Sequence, residues 1–225
     1  MQAMEKMRII LTGATGYVGE GVLLACLDNP AVEKVLSVSR RPCGHTHPKL
    51  EEYLVPDFMD LKAGDPKLQD YDAVFFCAGI SSVGVKEAFY KIISHDIPLH
   101  FADAVGPKEN MTFIYLSGAG TGESNPQKWA KVKTATEKAL MHMPFKHAFG
   151  FRPAFMKPYA GQRFITGIQK SFRYFYPVMK FFGQANTIQD VENAMVRVSQ
   201  EGYPSPYISV KDIRMLAPKN RSLAI

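Results

Sequence analysis

At 225 residues the chain is long enough for one α/β domain with a small appendage, and 46% hydrophobic with 21% charged residues excludes a disordered or collagen-like polymer. The net charge of +6 is unevenly placed: residues 1–127 carry 11 Lys+Arg against 16 Asp+Glu, and residues 128–225 carry 16 against 5. The basic second part suits an anionic ligand, nucleic acid or an anionic surface, with a solvated basic face as an equal alternative.

In chain order, the apolar run Arg8-Ile9-Ile10-Leu11 predicts a buried strand. The turn Thr12-Gly13-Ala14-Thr15-Gly16-Tyr17-Val18-Gly19 follows, and residues 17–28 have helical apolar spacing. A strand, a glycine-rich turn and a helix start form a phosphate cradle, because N–H groups and the helix dipole there favour an anion. Gly13 permits the tight turn, Gly16 lets a pyrophosphate approach the backbone, and Gly19 lets the helix pack on the strand. Val35-Leu36-Ser37-Val38-Ser39 predicts a second strand and Glu52-Tyr53-Leu54-Val55-Pro56 a third, weakened by its proline. Ala73-Val74-Phe75-Phe76-Cys77-Ala78 reads as a strand buried on both faces. Residues 84–105 predict a helix, 111–116 a strand, 126–142 a helix and 147–152 a strand ended by Pro153.

Strands alternating with helices predict an α/β fold, a doubly wound parallel sheet whose strand C-termini share one ligand-binding edge. After Pro153 the character changes. Residues 162–182 are basic and aromatic (Phe164, Phe172, Tyr174, Phe175, Tyr176, Phe181, Phe182), residues 188–198 predict an amphipathic helix, and 207–210 an edge strand. We expect residues 1–155 to form the nucleotide-binding domain and 156–225 a short helical cap packed on it as one folding unit.

Arg40 and Arg41 lie about twenty residues beyond the third glycine, where an NAD-specific site needs an acid for the ribose 2′-hydroxyl. Two guanidiniums there suit a 2′-phosphate, so NADP(H) is expected over NAD.

TGATGYVG, the Ser-Arg-Arg after the second strand, Asp57-Phe58, Cys77-Ala78-Gly79, Ser117-Gly118-Ala119 and Arg152-Pro153 occur in the order seen in short-chain dehydrogenases/reductases. Over about residues 7–200 the chain resembles the atypical, epimerase-like branch of that superfamily, near its NmrA-like and Tat-interacting-protein-like members. The resemblance implies a Rossmann fold. It places Gly13, Thr15, Gly16, Tyr17, Val18 and Gly19 at the pyrophosphate, Asp57 and Phe58 by the adenine, and Cys77, Ala78 and Gly79 along the ribose. Ser117 is implied at the substrate carbonyl, and Lys133 as the lysine of the superfamily's Tyr-x-x-x-Lys pair, holding the nicotinamide ribose.

In that pair the tyrosine donates the proton, yet Trp129 takes its place here. An indole N–H can donate a hydrogen bond but is no general acid near neutral pH. Either the chain is an oxidoreductase or epimerase-like enzyme on a small carbonyl or enone substrate, with a reductive proton from Lys133, water or a tail tyrosine such as Tyr159, or it binds NADP(H) silently as a redox-sensing regulator.

Other features carry less. Asp57 can alternatively cap a turn, and Cys77 reads as a small apolar residue. His95, His100, His142 and His147 show no metal spacing, so no metal is expected. Residues 118–122 read as a loop beside the substrate. Contact of the basic aromatic stretch with an anionic membrane is a minor reading beside ordinary packing, and no nucleic-acid module is recognised. Cys26, Cys43 and Cys77 are odd in number and far apart, residues 1–7 lack an apolar leader core, and no segment is long and apolar enough to cross a bilayer. A reduced, cytoplasmic setting is expected.

Overall fold

The structure, a computed structural model, describes residues 6–165 and 176–217. Seven parallel strands form one sheet in the order β3-β2-β1-β4-β5-β6-β9: β1 (Met7–Thr12), β2 (Val32–Ser39), β3 (Leu50–Leu54), β4 (Ala73–Phe76), β5 (Thr112–Leu116), β6 (His147–Arg152) and β9 (Tyr207–Ser209). The order reverses at β1, so the crevice between the ends of β1 and β4 is the topological switch point where open α/β sheets bind ligands.

Alternate residues feed the two faces, as the two-residue period of a strand requires. Ile9 and Leu11 pack with helix α1 (Tyr17–Asp28) and helix α5 (Ile188–Glu201) on one side. Ile10 joins Val74, Phe76, Phe113 and Tyr115 on the other. That second face lies under α2 (Glu87–Lys91), α3 (Ile97–Ala104) and α4 (Lys128–Met141).

The predicted helix over 84–105 is two α-segments joined by a π-turn, Ile92–Asp96. Pro98 explains the irregularity. It has no N–H to give the Ser94 carbonyl one turn back, and that carbonyl instead accepts from Tyr115 Oη and Thr136 Oγ1, both at 2.8 Å.

The third strand falls at Leu50–Leu54, two residues before the predicted span, and leaves Pro56 outside the ladder. A small parallel pair, β7 (Phe155–Lys157) with β8 (Ala185–Thr187), was not foreseen. Residues beyond 155 also supply β9 to the main sheet and α5 against α1. Phe172, Tyr174 and Phe175 lie outside the described residues.

Candidate functional site

The turn after β1 is built by close backbone approach. A Cβ on Gly13 (φ +80°) would sit 2.7 Å from the Ala78 nitrogen and the Cys77 carbonyl carbon, and one on Gly19 would sit 2.1 Å from the Gly13 oxygen. Both glycines are therefore consumed by packing β1, β4 and α1 together. Thr12 Oγ1 accepts from the Ala78 N–H at 3.2 Å, tying the ends of β1 and β4. At Gly16 a Cβ would meet nothing nearer than 3.4 Å. That side of the turn opens onto a cavity of about 520 Å³.

The cavity lies along the carboxyl edge of the sheet. Gly13, Thr15 and Gly16 line it together with Arg40 and Arg41 after β2, Asp57 and Phe58 after β3, and Cys77, Ala78 and Gly79 after β4. Ten of the residues singled out in the sequence thus meet in one place. Ile80, Phe89 and Ile92, each substantially exposed, border its far wall, an apolar rim suited to a flat ring. Asp57 does two jobs: its carboxylate accepts from the Met59 N–H at 2.9 Å, capping a short 3-10 turn, while it faces the cavity. Phe58 is buried, with its ring centroid 5.5 Å from that of Phe101. Burial pushes the Cys77 thiol up to about 12, so it is not an ionised nucleophile.

The remaining predicted residues sit elsewhere. Gly19 lies under the turn. Val18 packs against the core of the α1 face. The Tyr17 hydroxyl donates to the Met156 carbonyl at 2.6 Å, which fastens β7 to α1.

Ser117 and Lys133 belong to a second, adjoining cluster at the ends of β5 and β6. Ser117 is 2% exposed, and its hydroxyl lies 2.5 Å from Glu137 Oε1 and 3.0 Å from the Phe151 carbonyl. Arg152 grips the same carboxylate through Nε at 3.0 Å and Nη2 at 2.5 Å. Glu137 is fully buried, so the bidentate pair and the serine are what make its charge tolerable there. Lys133, one turn earlier on α4, donates from Nζ to the Ser117 carbonyl oxygen. Burial lowers its ammonium to about 8, winning over the nearby Glu137 charge, which acts in the opposite direction.

Trp129 is half-buried and donates its indole N–H to the Gln127 side chain. Its ring edge reaches within 3.2 Å of where a Gly120 Cβ would be, so it lies against the 118–122 loop. Tyr159 does not approach this cluster. Its hydroxyl bonds Asp28, at the far end of α1 from the glycine turn, at 2.7 Å, which removes it as the proton source considered above.

Sequence reasoning missed Glu137 and also Glu20. The Glu20 carboxylate is fully buried in the first turn of α1 and accepts from the backbone N–H of Arg163 (2.8 Å) and Phe164 (2.7 Å) and from His45 Nε2 (2.9 Å). It ties the loop after Arg41 and the segment after β7 to the cradle helix.

Three comparisons bear on this arrangement. The sequence pattern of the NAD dependent epimerase/dehydratase family matches residues 9–138. Protein FMP52, mitochondrial, of Candida glabrata is 26% identical over 153 residues, which span 67% of this chain and 64% of the relative's length. The protein of the same name from Aspergillus fumigatus is 25% identical over 175 residues, 71% of this chain and 74% of its own. Among solved structures, a UDP-N-acetylglucosamine 4-epimerase from Methanobrevibacter ruminantium M1 superposes with a TM-score of 0.65 at 18% identity, covering 92% of this chain and 76% of that one. An NADPH-bound carbonyl reductase from chicken fatty liver gives 0.63 at 13% identity, over 93% and 94%. The two superpositions establish the Rossmann-like fold.

The names of the relatives overturn the cytoplasmic expectation, since they are mitochondrial proteins. The criterion behind that expectation, an apolar leader core, senses secretory signals. Mitochondrial transit peptides are amphipathic and basic and escape it.

Proposed function

The chain belongs to the NAD dependent epimerase/dehydratase family, and on that premise we propose that it binds NADP(H) and reduces a small carbonyl or enone compound. One observation carries the reading: the cavity opening at Gly16 is lined by Arg40 and Arg41, and Lys133, half-buried on α4 and bonded to the Ser117 carbonyl, has lowered basicity. The residues present fit the dinucleotide. Gly16 leaves the space a diphosphate needs, and Arg40 and Arg41 offer forked donors for a 2′-phosphate.

When bound, the reduced dinucleotide supplies a hydride to the carbonyl carbon. The chain's part is the proton. An ammonium near 8 is acidic enough to hand the Nζ proton of Lys133 to the substrate oxygen and to regain one from solvent. The Ser117 carbonyl holds Nζ in place, and Glu137, locked by Arg152, keeps positive charge favoured at that point. Trp129, standing where a tyrosine would, packs on the loop and donates its indole N–H to Gln127.

The second reading, a silent NADP(H)-binding regulator, is favoured by the Ser117 hydroxyl being taken up by Glu137. NADPH oxidation over a panel of aldehydes, ketones and enones separates the two. Turnover is expected, falling as pH rises through about 8, because the donating form is the protonated one. Lys133→Met should lose about a hundredfold or more in rate, with a Tm no lower than the parent's, since a costly buried charge is removed. Tight NADPH binding without turnover, converted to turnover by Trp129→Tyr, would favour the regulator. Mitochondrial residence is part of the same proposal, supported by the relatives' names, and organelle fractionation checks it.

A further inference from the structure

A second cleft, of about 490 Å³, lies between the 118–122 loop, the end of β6, the 182–184 segment and the short helix α6 (Val210–Leu216). Its charged lining is wholly cationic: Arg152, Lys211 and Arg214. Two acids lie beside this lining and are already committed, Glu137 to Arg152 itself and Asp212, which interacts with the Lys211 charge, to a helix cap. Glu137 is held by Nε and Nη2 of Arg152, leaving Nη1 as the nitrogen nearest Gly122, 3.7 Å from where its Cβ would be. Asp212 is turned into its capping box with Ser209 and accepts from the Tyr203 hydroxyl. Among the described residues neither Lys211 nor Arg214 enters an ion pair.

The walls are fixed. The N–H groups of Ser117 and Gly118 both donate to the Phe151 carbonyl, and that of Ala119 to the Pro153 carbonyl. The Arg214 guanidinium lies across Gly183, 3.3 Å from its Cβ position. With φ at +71° this site disfavours any side chain that would separate the arginine from the cleft. Arg152 already has Glu137 as its counter-charge, so the cations left without an ion pair at this concave surface are Lys211 and Arg214, and a bound anion supplies the charge they lack.

Resting on the carbonyl-reduction reading for its link to chemistry, we propose that this cleft takes the anionic group, carboxylate or phosphate, of the substrate, so that the protein acts on acidic carbonyl compounds. Arg152 joins the two functions: its Nε and Nη2 hold Glu137, which Ser117 also meets, and the same residue lines the cleft. A substrate anchored there by its anion presents its remainder toward the lysine.

The test uses the full-length protein and Lys211→Ala combined with Arg214→Ala. NADPH oxidation is followed with para-carboxybenzaldehyde and with benzaldehyde. The parent should prefer the carboxylated aldehyde, and the double variant should lose about tenfold of that preference in kcat/KM. Calorimetry with benzoate and with inorganic phosphate at low salt reads the cleft without turnover. At least one should bind the parent saturably and fail to bind the variant, and which one does identifies the anion. An unchanged aldehyde preference in the variant overturns the proposal, as does the absence of anion binding to the parent or its persistence in the variant. If neither aldehyde is turned over yet an anion binds and is lost in the variant, the reductase reading fails while the cleft stands.

Discussion

Ser39 donates its hydroxyl to the Arg41 carbonyl at 2.6 Å, so the chain leaves β2 in a fixed turn with both guanidiniums at the cavity edge. Replacing Arg40 and Arg41 together by alanine should weaken NADPH by about tenfold or more while changing NADH much less, because only the former carries the 2′-phosphate. Fluorescence titration with both coenzymes reads the difference, and equal weakening would remove the phosphate argument. At this scale the cavity was largely legible, since glycines in a turn and charges at a strand end declare themselves by spacing. Glu137 and Glu20 were not, because an acid on a helix reads as solvent-facing until its partner is seen. For Glu137 that partner is Arg152 at the end of the next strand, and for Glu20 it is backbone more than 140 residues away. Ser117 is singled out by its place at a strand end, but the direction of its hydroxyl depends on that hidden carboxylate.

Between elements, the glycine turn makes a sharper demand than its spacing announces. Two of its glycines serve packing and one serves the opening, and substitution should tell them apart. Gly19→Ala drives a methyl into the Gly13 carbonyl and should cost roughly 1–3 kcal/mol, seen as a lowered Tm. Gly16→Ala meets only ordinary contact, so the melting temperature should hold while NADPH affinity collapses as the methyl fills the cradle. A matched loss of stability in both variants would contradict this division. The strands of the main sheet were readable because buried parallel strands are continuous apolar runs. The β7–β8 pair was not, since three-residue strands carry no period, and the π-turn was hidden because a proline on a helix shows where a bond is missing but not which groups replace it.

For the whole molecule, the contact of α5 with α1 joins the two ends of the sequence, and a carboxylic acid sits inside it. Glu192 is buried, accepts from Asn29 Nδ2 at 2.9 Å, and is raised by that burial to about 7. The unfolded chain releases this proton at the ordinary 4.5, so between those values the folded state holds more protons. Stability therefore falls as pH rises through that window, and the full penalty applies above it. Glu192→Gln keeps the acceptor for Asn29 without the charge. It should stabilise the protein by up to about 3 kcal/mol near pH 8 and by little near pH 5. Thermal melts at the two pH values decide, and equal shifts would rule out ionisation as the cause.

The Glu20 tether carries a consequence for biosynthesis. The backbone donors that receive its carboxylate, on Arg163 and Phe164, are 143 and 144 positions downstream. A nascent chain that has not yet brought them out of the ribosome tunnel has an inward-facing acid with, among the described residues, His45 alone to meet it. Premature termination before that point therefore yields a fragment containing every glycine of the fingerprint but lacking its clasp, a species poorly fitted to hold a nucleotide and exposed to quality-control proteases.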